Sequence, residues 1–169
     1  MLETLKERVC AANLELVRQG LVTLTWGNVS GIDRARGLVA IKPSGVPYDR
    51  LTPETIVLTD LDGRVVEGDY APSSDTPTHV CLYRAFAQIG GVVHTHSPYA
   101  TAFAQAGREI PCLGTTHADH FHGAVPVARM PTEQEVGDRY EQAIGALIVE
   151  RFRGLDQHEI GRASCRGRV

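Results

Sequence analysis

The sequence predicts one layered α/β domain built on a mainly antiparallel sheet. Three observations predict it: an amphipathic helical repeat at the start, short apolar runs broken by tight-turn signals as far as Pro72, and an alternation of helix starts and apolar runs after it. A length of 169 residues suits one domain, and a composition of 43% hydrophobic and 22% charged residues sets aside disordered, collagenous and coiled-coil chains.

Leu5, Val9, Ala12 and Leu16 recur at helical spacing and Gly20 follows as a natural stop, so a helix opens the chain. Residues 21–24, 28–32, 38–41, 56–59 and 64–67 have the length and apolar texture of strands. Asp33 to Gly37 and Leu61-Asp-Gly63 supply turns between them, the second because Asp-Gly accepts positive φ. Thr78–Phe86 predicts a helix entered through Asp75 as N-cap, with Pro77 in the first turn where its missing N–H costs nothing. Gly90–His96 reads as a buried strand, and Ser97-Pro98 opens a helix through about Ala106. Thr132-Glu-Gln-Glu135 is a capping box ahead of a later helix, and Ala146–Phe152 is a further helical segment.

Lys and Arg number 17 against 20 Asp and Glu, a net charge of −3, so no positive field exists to hold a polyanion and nucleic acid is not an expected partner. No apolar stretch approaches a signal sequence or a membrane span, so a cytoplasmic location and no membrane partner are expected. Cys10, Cys81, Cys112 and Cys165 form no C-x-x-C pair and are expected to be reduced and mostly buried.

The chemistry concentrates at His94-Thr95-His96. Residues i and i+2 of a strand share a face, so two imidazoles there can converge on one metal ion. Asp75, His117 and Asp119 supply further polar groups, and His120 and His122 form a second i, i+2 pair better suited to the surface. Two stretches suit an anion: Lys42-Pro-Ser-Gly45 and Ser73-Ser74 each combine hydroxyls with backbone able to expose N–H groups. Trp26-Gly-Asn28 is a tight bend.

In this order the segments Leu-Thr-Trp-Gly-Asn-Val-Ser (24–30), Lys-Pro-Ser-Gly (42–45), Pro-Ser-Ser-Asp-Thr-Pro-Thr-His (72–79), Val-His-Thr-His-Ser (93–97) and Thr-Thr-His-Ala-Asp (115–119) resemble the class II aldolase/epimerase family. That family includes the fuculose-phosphate and rhamnulose-phosphate aldolases. The resemblance implies a three-layer α/β/α domain over residues 1–158, incomplete at its C-terminus, with Zn2+ as cofactor. It implies that His94 and His96 are zinc ligands and that Asp75 lies at or beside the metal. Gly27, Asn28, Ser44, Gly45, Ser73 and Ser74 would surround a sugar phosphate, with Asp119 as acid/base residue and Thr116 and Glu141 as nearby polar groups. Asp119 tips the implied activity toward epimerisation of L-ribulose 5-phosphate to D-xylulose 5-phosphate, as in pentose or arabinose catabolism. The alternatives are a class II sugar-phosphate aldolase and a non-catalytic, adducin-like module. A homotetramer is implied as well.

The family's third histidine ligand and its catalytic tyrosine have no counterparts; His158 stands in a polar stretch and is not assigned the ligand role. Residues 159–169 resemble a translated sequencing adapter, and without them the net charge would be −5, since Arg162, Arg166 and Arg168 outweigh Glu159 by two. This tail is therefore expected to be non-native, and the polypeptide to bind zinc weakly and to turn over little substrate.

Overall fold

A computed structural model of the chain describes residues 2–120, 123–137 and 139–153. These fall into two compact units that divide between His96 and Ser97. His122, His158, Cys165 and the tail 159–169, all singled out in the sequence, lie outside the described residues.

The first unit opens with helix α1 (Leu2–Arg18), which buries Val9, Cys10 and Leu16. It ends as its sequence predicts: Gly20 takes φ +64°, its N–H bonds to Val17 O, and Leu21 N–H bonds to Leu16 O, closing the last turn in a Schellman arrangement. Strands β1 (Asn28–Asp33), β2 (Leu38–Ile41), β3 (Val57–Asp60) and β4 (Val65–Glu67) follow, then α2 (Thr76–Ala85) and β5 (Gly91–His94). The sheet runs β4-β3-β2-β1-β5 and every pairing is antiparallel.

Alternation along the strands assigns the two faces. Ala40 and Leu58 join Val9, Cys10, Tyr48, Leu51 and Ile56 in a cluster with α1, whereas Val39 joins Val80 and Tyr83 of α2. One helix therefore covers each face, which makes this unit the three-layer α/β/α arrangement expected. It also explains why central β2 reads as a continuous apolar run, Leu-Val-Ala-Ile, rather than an alternating one. Gly31 marks a close approach of α1, since a Cβ there would stand 3.0 Å from both Leu5 Cδ1 and Val9 Cγ2.

Four expectations need correction. Residues 21–24 form no strand; they run irregularly into a turn in which Leu24 adopts φ 55° and stays exposed, because no strand among the described residues pairs with them. The segment 90–96 is not a buried strand: β5 ends at His94 and lies at one side of the sheet, so Val93 is 61% exposed. Asp75 occupies the N-cap position of α2 but makes no capping hydrogen bond, because its carboxylate is engaged elsewhere. Of the described cysteines only Cys10 is buried; Cys81 is half-buried and Cys112 exposed.

The second unit is described by itself. Helix α3 (Pro98–Gln105) starts as predicted, with Ser97 Oγ accepting the Ala100 N–H and proline in the first turn. A four-residue helix α4 (Thr115–Ala118) and α5 (Tyr140–Phe152) complete its helices. The capping box at Thr132 forms, but it starts only a short 3-10 turn, Glu133–Val136. Arg129 binds that turn to α5, donating to both oxygens of Glu135 at 2.9 Å and to Glu150 Oε2 at 3.0 Å. The guanidinium pulls the Glu135 carboxyl down to about 2.

Beneath the sheet, on the α2 face, Ser30 Oγ bonds to His79 Nδ1 (2.7 Å) and to Tyr83 Oη (2.8 Å). Burial pushes His79 down to about 4, the neighbouring His94 adding to this and Asp75 opposing it. Below the ordinary imidazole value of about 6.5 the unfolded chain takes up a proton that the folded one refuses. Stability is thus fully present above that pH and falls as pH drops toward 4, by up to about 1.4 kcal/mol per pH unit. Urea denaturation at pH 7 and pH 5 is expected to show this loss, and a His79→Gln variant to show a shallower one; an unchanged slope would remove the assignment.

Candidate metal and phosphate site

Gly27 and Asn28, at the start of β1, meet Ser73, Asp75 and His94, with His96 beside His94. Gly27 enters β1 at φ +79°, pressed so close to its surroundings that a Cβ would stand 2.6 Å from Val22 Cγ1 and 3.0 Å from the His94 carbonyl. Tyr48 Oη fastens this bend by donating to the Gly27 carbonyl at 2.9 Å and the Trp26 carbonyl at 3.2 Å. Asn28 then begins β1 directly opposite His94 of β5.

The Asn28 side chain is almost fully buried and ties two elements to the strand. Its Nδ2 donates to Asp75 Oδ2 (2.7 Å) and to Ser73 Oγ (3.2 Å), while its Oδ1 is buried with no partner. A buried acceptor without a donor is costly, and beside a carboxylate it suits a hydroxyl donor or a cation. One step along each element the pattern repeats with Ser30 and His79. Two residues of strand span about 6.6 Å and four of helix about 6 Å, so both polar pairs meet in step.

His94 and His96 converge as their spacing predicts, although His96 lies beyond the strand. Their Nε2 atoms are 2.8 Å apart, with the rings edge to face at 4.7 Å. Asp75 Oδ2 is 3.9 Å from His94 Nε2. Burial lowers the pKa of the His94 imidazole, Asp75 opposing and His96 adding to the effect, a shift toward the neutral form that ligates metal. Two nitrogens on one tetrahedral ion at about 2.0–2.1 Å stand about 3.3 Å apart, a small opening of the pair seen here. The donor chemistry therefore fits a divalent cation as two ligands with a carboxylate beside them. No three His, Cys, Asp or Glu side chains among the described residues are close enough to enclose an ion as they stand.

The anion-suited stretches meet side by side. Ser44 N–H bonds to Ala71 O (2.9 Å), Ser73 N–H to Lys42 O (3.0 Å), and Pro43 bridges Pro72. Ser44, Gly45 and Ser74 are exposed along this double strand, and Gly45 takes φ +68°, which only glycine adopts without strain. Lys42 turns inward instead: it is 2% exposed, lies over the Tyr48 ring at 4.8 Å and donates to Val46 O at 2.9 Å, and burial pushes its pKa down. Asp119 belongs to the second unit, exposed at the end of α4, where its N–H bonds to Thr115 O. His117 Nε2 bonds to the Gly123 carbonyl at 2.8 Å in the same unit.

Comparison with known proteins matches residues 7–156 to the class II aldolase and adducin N-terminal domain. The chain belongs to that family. Among curated relatives, L-ribulose-5-phosphate 4-epimerase UlaF of Salmonella paratyphi C is 57% identical over 149 residues, which are 88% of this chain and 65% of the relative. The chain thus spans slightly under two thirds of the length of such relatives. Among solved structures, an L-fuculose 1-phosphate aldolase is 30% identical with a TM-score of 0.73, covering 88% of this chain and 68% of that one. L-fuculose-1-phosphate aldolase from Thermus thermophilus is 25% identical with a TM-score of 0.68, covering 90% and 71%.

Within this class II aldolase framework the structure adds residues the sequence did not single out. Ser30, His79 and Tyr83 form the polar layer behind Asn28 and Asp75, and Asn13 is buried against β1. The available signal was weak: a serine two residues from Asn28 on the same strand face, a histidine one helical turn after Asp75, and an asparagine within the apolar stripe of α1.

Proposed function

We propose that this chain carries the metal- and phosphate-binding part of a zinc-dependent L-ribulose-5-phosphate 4-epimerase. The observation that carries the reading is the imidazole pair beside Asp75 and the unpaired Asn28 Oδ1, at the point where the 42–45 and 71–75 segments meet. The 57% identity to a named epimerase, against 30% to a named aldolase, favours the isomerase within the shared chemistry. A non-catalytic, adducin-like role is disfavoured because two imidazoles converge to 2.8 Å beside a carboxylate, a donor set that a purely structural domain has no use for.

In this reading His94 and His96 hold the cation, and Asp75, oriented by Asn28, sets the charge beside it. Zinc bound there supplies Lewis-acid polarisation of the carbonyl and adjacent hydroxyl oxygens of the sugar. Ser44, Gly45, Ser73 and Ser74, with Gly27 and Asn28 facing them, bind the phosphate through hydroxyl and backbone N–H groups. This anchor keeps the two-carbon aldehyde fragment in place after the C3–C4 bond breaks and lets it turn before the bond re-forms. Asp119 moves the proton of the C4 hydroxyl on one face. The reading includes a homo-oligomer in a cytoplasmic setting; exposed Leu21, Leu24, Trp26 and Val93 give the first unit apolar surface for assembly. No helix among the described residues is long and apolar enough to cross a membrane.

The test is an assay of the zinc-loaded chain with L-ribulose 5-phosphate. Slow formation of D-xylulose 5-phosphate that ceases in Asp119→Asn is expected. Condensation of dihydroxyacetone phosphate with an aldehyde, without epimerisation, would replace the epimerase by the aldolase.

A further inference from the structure

Asn13 sits in the apolar stripe of α1, four residues after Val9 and three before Leu16, and it is completely buried. Its amide is fully used. Nδ2 donates to the carbonyls of Val9 (2.8 Å) and Val29 (3.0 Å), and Oδ1 accepts the Val29 N–H at 2.9 Å. Exchanging both hydrogen bonds with one strand residue is what a neighbouring strand does in an antiparallel ladder.

The ladder has room for it. On β1, Asp33 and Gly31 pair with Leu38 and Ala40 of β2, while the Ile32 N–H points the other way, to the Gly90 carbonyl. By alternation the backbone groups of Val29 face the β2 side, and the register places Lys42 opposite. Yet Lys42 has left: its carbonyl accepts the Ser73 N–H, and Ser44 bonds to Ala71. The sheet splits there, with Gly27 and Asn28 on one lip and segments 42–45 and 71–75 on the other. Without Asn13 the Val29 N–H and C=O would be buried at the root of the split with nothing to bind.

From this we infer that Asn13 is a positioning residue: its amide substitutes for a strand where the sheet splits and so fixes Asn28 against the segments that take the phosphate. The inference rests on the phosphate reading above. Asn28 is the next residue to Val29 and reaches across the split to Ser73 and Asp75, so a displaced Val29 moves Asn28 away from both. The histidine pair is less altered by such a shift, because both imidazoles belong to one segment, two residues apart, and move together.

Inorganic phosphate titrated into the full chain and followed by 31P NMR tests it, with metal binding read separately from the fluorescence of Trp26, the sole tryptophan, whose ring lies 5.8 Å from that of His96. For Asn13→Leu the expected result is at least a tenfold loss of phosphate affinity in the folded protein, with Co2+ affinity within about threefold of the unaltered chain. The double change S73A/S74A is the reference for the phosphate site itself. Phosphate affinity retained in N13L but lost in S73A/S74A overturns the role of Asn13 and leaves the phosphate reading standing. No phosphate binding by the unaltered chain, or full binding by S73A/S74A, overturns both. If N13L does not fold, Asn13→Asp, which keeps the acceptor for Val29 N–H, takes its place. Amide exchange in the unaltered chain then decides alongside it: a Val29 amide as slow as Gly31 supports the inference, and one as fast as a loop amide overturns it.

Discussion

Replacing His94 by asparagine is expected to lower the affinity of the chain for Co2+ or Zn2+ by at least about 100-fold, or about 2.7 kcal/mol. Loss of a supporting residue behind a ligand already costs about 10–100-fold, and here a ligand itself is removed from a pair. The paired Nε2 atoms at 2.8 Å mean that neither imidazole retains a partner of equal reach once the other is gone. Co2+ quenching of Trp26 reads the effect, since that ring stands beside His96. A Glu15→Gln change on the exposed side of α1 is the control and is expected to leave the titration unaltered. Undiminished quenching in H94N would place the metal elsewhere in the chain.

Replacing Gly27 by alanine is expected to cost about 2–4 kcal/mol of stability. Part is conformational, because φ +79° is a region that alanine adopts only under strain, and part is steric, because the new methyl meets Val22 at 2.6 Å and the His94 carbonyl at 3.0 Å. Val22 can yield; the carbonyl cannot, since it belongs to the backbone of β5 that presents the histidines. The variant is therefore expected to weaken metal binding by about tenfold as well as to unfold at lower urea. Unfolding at the unaltered urea midpoint would show that the bend relaxes without moving β5.

Much of the fold was legible because its signals are local. The Gly20 stop, the Asp62-Gly63 turn, the Ser97-Pro98 helix start and the four strands from Asn28 to Glu67 each follow from backbone preferences that the residues express wherever they stand. Leu21–Leu24 misleads for the same reason: an apolar run suits a strand, but a strand also needs a neighbour, and none among the described residues pairs with it. The valines of Gly90–His96 predict burial, yet burial depends on how many strands and helices lie beside it.

Determined by the sequence itself are the family, the layered α/β class and the pair of imidazoles, because an i, i+2 spacing and a fixed order of motifs survive any packing. The tertiary structure alone decided how the polar residues are used. Asp75 has the spacing of a helix cap but serves Asn28, and Lys42 stands in a loop suited to anions but turns inward over Tyr48. Asn13 breaks an apolar stripe yet completes a ladder. A short polar side chain has several partners within reach locally, and which one it takes is settled by the distant segment that folding brings to it.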